Sequence, residues 1–290
     1  MDVIPVSRHS GAHSVPYSGT QPAARRAVPR QVERPIHVPA PASWFGIFRE
    51  VGIVALAALL YFSARGLIAA RADQAYEHAS WVVSFEQRLG IFHESWFQNW
   101  IVERNWLTDL ANAVYIYGHW PVIAATLSWL LLRHREMFRV YRSAMLISGA
   151  IGIVSFVLFP LAPPRFLPSL GFIDTVTLHS QAYRVLQPPS LTNQYAAMPS
   201  LHVGWNLLMG IAIVTQTRHL FWKAFGVAMP LLMYLATIVT ANHYIVDGFA
   251  GAAVALIGLA IAWKLTGRPA RQGPQSSNAP PLSPLFSLQR

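Results

Sequence analysis

Apolar residues fall in long runs separated by short charged clusters. Residues 110–132, 143–164, 201–217, 224–246 and 248–263 contain no Lys, Arg, Asp or Glu. Each run approaches or exceeds the roughly 17–25 residues that a helix needs to cross a hydrocarbon core. The last is short and is expected to begin earlier, taking in Asp247. A sixth run, about residues 47–70, has an uncharged centre at 51–64 with Arg49, Glu50 and Arg65 toward its ends. Such side chains reach the interface along apolar stems. The pattern predicts six spanning helices. Residues 74–106 differ. Trp81, Phe85, Leu89, Phe92, Trp96 and Trp100 recur at helical spacing among six Glu or Arg residues. One or two amphipathic helices are predicted there, lying on the bilayer surface or packed as a third layer on the bundle.

Composition supports the membrane. Of 290 residues, 53% are hydrophobic and only 12% charged, against about a quarter charged in soluble proteins. So few charges cannot cover a water-exposed surface. The fold class expected is all-α: an integral membrane six-helix bundle with an additional interfacial amphipathic helix. Cysteine is absent, which excludes disulfides, thiolate chemistry, Cys-ligated zinc and iron–sulfur clusters. Residues 1–43 and 268–290 hold seven and five prolines and no long apolar run, and read as disordered basic tails. They flank a membrane domain at 44–267. No signal-peptide core is visible at the start.

The net charge of +10 follows the loops. The first tail has six Arg through Arg49. The next loop is acid-rich, and the one after carries Arg133, Arg135, Arg139 and Arg142. The loop after residue 160 has only Arg165 and Arg184. Arg218 and Lys223 come next, and then no Lys or Arg before Asp247. This alternation predicts both termini in the cytoplasm, in the plasma membrane, with residues 160–199 outside. It also argues against nucleic acid as a partner.

Polar groups near these spans cost roughly 2.5–3.5 kcal/mol at bilayer depth and call for a reason. Arg165 follows the third span, Ser200 and His202 open the fourth, and His243 and Asp247 lie between the fifth and sixth. All fall on the predicted outer face. Arg165 offers a planar fork of donors for phosphate oxygens. Ser200, after Pro199, stands where a helix N-cap would, and a helix start attracts anions. His243 and Asp247 are four apart. If a helix runs through them, Asp247 can hold one imidazole nitrogen while the other attacks. His202 is then left to protonate a leaving oxygen. This is a phosphoryl-transfer set that requires no metal and no cofactor. Taken singly, each residue also has a structural use: a snorkelling Arg, a capping Ser, a polar contact, a His–Asp pair. His119, in the second span, reads as an interhelical hydrogen-bonder.

At these residues the sequence resembles the type 2 phosphatidic acid phosphatase (PAP2) superfamily. That family carries Lys-x6-Arg-Pro, Pro-Ser-Gly-His and Ser-Arg-x5-His-x3-Asp blocks. Here the second stands as Pro199-Ser200-Leu201-His202 and the third as His243-x3-Asp247. The first survives only as Arg165. The family's lysine falls on Leu158, its proline on Phe166 and its second arginine on Thr237. The phrases Ala-Pro-Pro-Arg-Phe, Ala-Ala-Met-Pro-Ser-Leu-His and Asn-His-Tyr look like the inositol phosphorylceramide synthase-like branch. The resemblance implies His243 as nucleophile, Asp247 as its orienting partner and His202 as general acid. Arg165 and Ser200 would bind the phosphate of a lipid substrate, and Arg184, Asn193 or Asn242 would replace the missing cations. The acceptor would be water, or an inositol or lipid hydroxyl.

Two other functions compete. A haem protein would use His119, His202 and His243 as axial ligands, but leaves Arg165, Ser200 and Asp247 unexplained. An intramembrane serine protease would use Ser200, yet Pro199 precedes it and no Gly-x-Ser-Gly turn is present.

Overall fold

The computed structural model describes residues 71–179 and 193–267, with parts of 48–59. Both predicted tails, Arg184 and most of the predicted first span lie outside the described residues. The described positions in 48–59 are helical.

Among the described residues the chain is all-helical, with no strand beyond one isolated bridge between Leu161 and Ala196. The helices are α1 (Ala72–Leu89), α2 (Glu94–Val102), α3 (Asn105–Tyr117), α4 (Trp120–Arg133), α5 (Arg135–Leu158), α6 (Thr175–His179), α7 (Leu201–Gln216), α8 (Leu220–Val239) and α9 (Ile245–Thr266). Three of them, α5, α8 and α9, are long and apolar enough to cross a membrane; α4 and α7 are shorter apolar helices. Helix α9 lies against α5 and α7, and α7 against α8. Helices α4, α5, α7 and α9 share a core that gathers Ile123, Leu130, Tyr141, Leu208, Met209 and Leu259.

The structure corrects two boundaries and decides between the two arrangements expected for residues 74–106. The predicted second span, 110–132, is two helices broken at Gly118 and His119. Pro121 explains the break. In a continuous helix its ring would clash with the Tyr117 carbonyl four residues back and it would lack the N–H to bond it; in the first turn of α4 neither matters. The third span starts earlier than 143. Arg135, Arg139 and Arg142 lie on α5 itself, and His134 alone separates it from α4. The amphipathic stretch is two helices that pack on the bundle. Ala75, Ala79, Val82, Val83 and Glu86 form the buried stripe of α1, at helical spacing. Trp81, Phe85 and Leu89 face outward. Gly90 ends α1 in the left-handed conformation (φ 70°), with bonds back to Glu86 and Gln87.

The stripe of α1 meets Leu161, Ala162, Ala197 and Tyr244. Every segment that carries a predicted site residue therefore touches one end of the bundle, beneath α1.

Candidate active site

Backbone bonds join the three motif stretches at that end. The Ser200 N–H donates to the Asp247 carbonyl (3.0 Å), the Arg165 N–H to the Ala241 carbonyl (2.9 Å), and the Leu161 N–H to the Tyr195 carbonyl (2.8 Å). Gly251, nearly two turns into α9, lets α9 approach the start of α7. A Cβ there would overlap the Ser200 carbonyl, so the serine block and the histidine block close on each other only with glycine at this position.

Ser200 is the N-cap of α7, as the sequence indicates, its Oγ accepting from the Val203 N–H at 3.5 Å. It is fully buried. His243 and Asp247 do not share a helical face, because α9 begins only at Ile245. Helix α8 ends in a turn in which the Asn242 and His243 N–H groups both donate to the Thr237 carbonyl. Ala241 there takes φ 54°, a left-handed state costing about 1–2 kcal/mol for a residue with a Cβ. Asp247 is the third residue of α9 and part of a capping box: its Oδ2 accepts from the Tyr244 N–H at 2.9 Å. The same oxygen stands 3.3 Å from His243 Nδ1.

The shorter bond of His243 is one that the sequence does not announce. Its Nδ1 lies 2.7 Å from the Ala197 carbonyl. Two acceptors thus face Nδ1, so the proton belongs there and Nε2 carries the lone pair. His202 lies across from it, the ring centroids 5.7 Å apart. The His202 ring stacks on Tyr115 (4.6 Å) and leans on His119 (4.2 Å). Its Nε2 is buried and makes no hydrogen bond among the described residues. His119 meets Asn206 Nδ2 at 3.1 Å through Nδ1, an interhelical hydrogen bond as expected. Asn206 also donates to the His202 carbonyl at 2.9 Å.

The Arg165 Nη1 donates to Asn242 Oδ1. Its Nε stands 3.6 Å from Asp174 Oδ2, and its guanidinium carbon 4.9 Å from the Phe166 ring centre. Asp174 belongs to a loop held from below. Gln98 on α2 donates to the Ile173 carbonyl and accepts from its N–H (2.8 and 2.9 Å), and Asn112 on α3 donates to the Thr175 carbonyl at 3.2 Å. Of the suggested replacements for the family's cations, Asn242 sits against Arg165. Asn193 accepts from the Tyr195 N–H at 3.1 Å. Leu158 is exposed at the end of α5, and Thr237 is buried, donating to the Tyr234 carbonyl.

Two further carboxyl groups reach the site from α1 and α2. Glu86 Oε1 accepts from the Val246 N–H at 2.8 Å and Glu94 Oε1 from the Ile245 N–H at 2.9 Å. Sequence reasoning singled out neither. Their signal was position: each continues the buried side of its helix, Glu86 after Val82 and Val83, and Glu94 before Gln98 and Ile101.

Among the described residues no group of three His, Asp or Glu has the arrangement of a metal site. The haem reading finds no support: His119 and His202 are in ring contact, and His243 Nδ1 is held by two acceptors.

The chain belongs to the PAP2 superfamily, whose family model matches residues 80–261. That membership supports a membrane-embedded lipid phosphatase as the class of protein. Among solved structures the chain is similar to LpxE of Aquifex aeolicus, with 18% identity and a TM-score of 0.45, over 61% of this chain and 94% of that one. No curated protein matches it.

Proposed function

We propose that this protein cleaves a lipid phosphate through a phosphohistidine on His243. The observation that carries the reading is the double acceptor at His243 Nδ1, which leaves Nε2 as the nucleophile. In the first half-reaction Nε2 forms a bond to phosphorus as the bond to the leaving oxygen breaks. His202 gives that oxygen its proton. Arg165, tied to Asn242 and Asp174, offers its remaining N–H donors to the phosphoryl oxygens, and the start of α7 at Ser200 adds the positive end of a helix. In the second half-reaction an oxygen nucleophile gives its proton to His202, attacks phosphorus and releases His243. Water as nucleophile makes a phosphatase. An inositol or lipid hydroxyl makes a phosphotransferase, the finer reading that the Ala162–Phe166 and Asn242–Tyr244 phrases support.

The site faces outward in this reading, with both termini cytoplasmic, on the strength of the Lys/Arg alternation. The native chain has no cysteine, so Ser169→Cys is a clean probe. Labelling by an impermeant reagent from the cytoplasmic side alone would overturn the orientation.

The test of the chemistry is trapping. Acid-labile, base-stable radiolabelled phosphate is expected on the wild type after rapid quench from a labelled lipid phosphate, and none on His243→Ala. Orthovanadate is expected to compete with substrate, since it mimics the five-coordinate phosphorus. Phosphate trapped on His243→Ala would reject the assignment. Product analysis with added inositol separates hydrolysis from transfer.

A further inference from the structure

Glu86 and Glu94 are both fully buried, which is rare for glutamate without a specific partner. They come from different helices on either side of the Gly90 turn, and each takes one N–H of the first turn of α9. Those are among the amides a helix cannot satisfy internally. With Asp247 on the Tyr244 N–H, three consecutive amides, 244 to 246, are met by three carboxyl groups from three helices. The outer oxygens, Glu86 Oε2 and Glu94 Oε2, meet no donor from any other group among the described residues. One proton between them satisfies both and removes the repulsion of two buried anions.

We infer that Glu86 and Glu94 form a hydrogen-bonded carboxyl–carboxylate pair that fixes the first turn of α9 and so positions His243 and Asp247 for attack. This rests on the phosphohistidine reading of the site. The pair touches no reacting atom; its members are positioning residues. They act through Ile245 and Val246, which lie between the capping residue Tyr244 and Asp247. The titratable groups facing the pair are Asp247, Tyr234 and Tyr244. Tyr234 donates to the Ile245 carbonyl (2.9 Å) and Tyr244 to the Ala162 carbonyl (3.0 Å).

The Glu86 carboxyl is pushed up from 4.5 to about 9 by burial first, then by its bond to Glu94 and the charges of Glu94 and Asp247, against the Val246 N–H. The proton is therefore present at neutral pH and leaves as pH rises through about 9. Activity that depends on the pair falls on that alkaline side. Stability moves the same way. Between 4.5 and about 9 the folded chain holds a proton that the unfolded chain has released, so raising the pH across that window destabilises the fold.

The experiment uses the full chain in nanodiscs. Glu86→Gln keeps an acceptor for Val246 and a donor for Glu94 at every pH; Glu86→Ala keeps neither. Displacing reacting groups by an ångström costs on the order of 10²-fold. Glu86→Ala is expected to lose about that much in kcat, with KM changed less than about threefold. Glu86→Gln is expected to recover most of the rate and to lack the fall in kcat above about pH 9. A wild-type-minus-Glu86→Gln infrared spectrum at neutral pH is expected to show the C=O stretch of one protonated carboxyl, vanishing in strong base. Equal damage in Gln and Ala variants, an unchanged alkaline limb in Glu86→Gln, or no carboxyl band would overturn the inference. The infrared band tests the pair even if Glu86→Ala does not fold. If wild type shows the band but turns over no lipid phosphate, the functional reading fails while the shared proton stands.

Discussion

The middle of the bundle and its site end are built on opposite rules. The middle, between α4, α5, α7 and α9, is closed by Leu130, Leu208, Met209, Ala255 and Leu259, with Tyr141 buried among them and Trp205 packed against them. The site end buries Glu86, Glu94, Gln98, Asn112, His119, Ser200, Asn206, Asn242, His243 and Asp247. Glu86, Glu94, Gln98, Asn112 and His243 bond backbone groups of other segments, and the others bond side chains or backbone of their own segment. In a bilayer there is no water to satisfy freed carbonyls and amides. A packed apolar middle needs only regular helices to avoid that cost. At the site end, freed backbone groups are met by side chains, as Ile245 and Val246 are by Glu94 and Glu86, and by backbone of other segments, as Ser200 is by the Asp247 carbonyl. Part of the polar cluster thus serves to end helices and tie loops to them. The proposed chemistry calls on polar atoms not spent in this way: His243 Nε2, His202 Nε2 and the remaining donors of Arg165.

Four substitutions sharpen that contrast. The largest effect is expected for His202→Ala on an alkyl phosphate lipid, a loss of about 10²–10⁴ in kcat, because general acid catalysis is worth that much. On p-nitrophenyl phosphate, whose leaving group needs little protonation, the loss is expected to be far smaller. Equal losses on the two substrates would remove His202 from the acid role. Arg165→Lys keeps a charge but loses the fork that meets Asn242 and Asp174 and is proposed to hold phosphate. A drop near 10² in kcat/KM is expected, in line with the loss of one transition-state donor; steady-state kinetics at fixed pH would show it. Asp247→Asn keeps the Tyr244 cap and leaves the Ala197 carbonyl on His243 Nδ1. A loss of about tenfold is expected, the worth of one hydrogen bond to a charged group. A loss as deep as that of His243→Ala would mean that the Ala197 bond contributes nothing.

Smallest in activity is Leu208→Ala, in the apolar middle. Its cavity is expected to cost about 2 kcal/mol of stability, toward the low end for Leu→Ala because lipid adds little transfer energy. Thermal unfolding in detergent would report it, with kcat unchanged at permissive temperature. A large fall in kcat there would break the division between the two regions.

What the sequence determined by itself was periodicity and local chemistry. Uncharged runs gave the apolar helices, since the cost of a charge in lipid is paid residue by residue. Ser200 after Pro199 marked the start of α7, and His119 marked an interhelical contact, because capping and buried polarity are local demands. The break before Pro121 was equally legible, though the unbroken apolar run 110–132 hid it. Only the tertiary structure decided how the site is held. The Ala197 carbonyl on His243 and the Asp174 side chain on Arg165 come from segments whose sequence carries no mark of their partners. The Glu86 and Glu94 bonds to Val246 and Ile245 span about 150 residues. A carbonyl has no side-chain identity to read, and a glutamate on an amphipathic helix looks the same whether it faces water or caps another helix. Which it does depends on where that helix docks, and docking is set by the fit of the α1 stripe against loops that exist only once the bundle has folded.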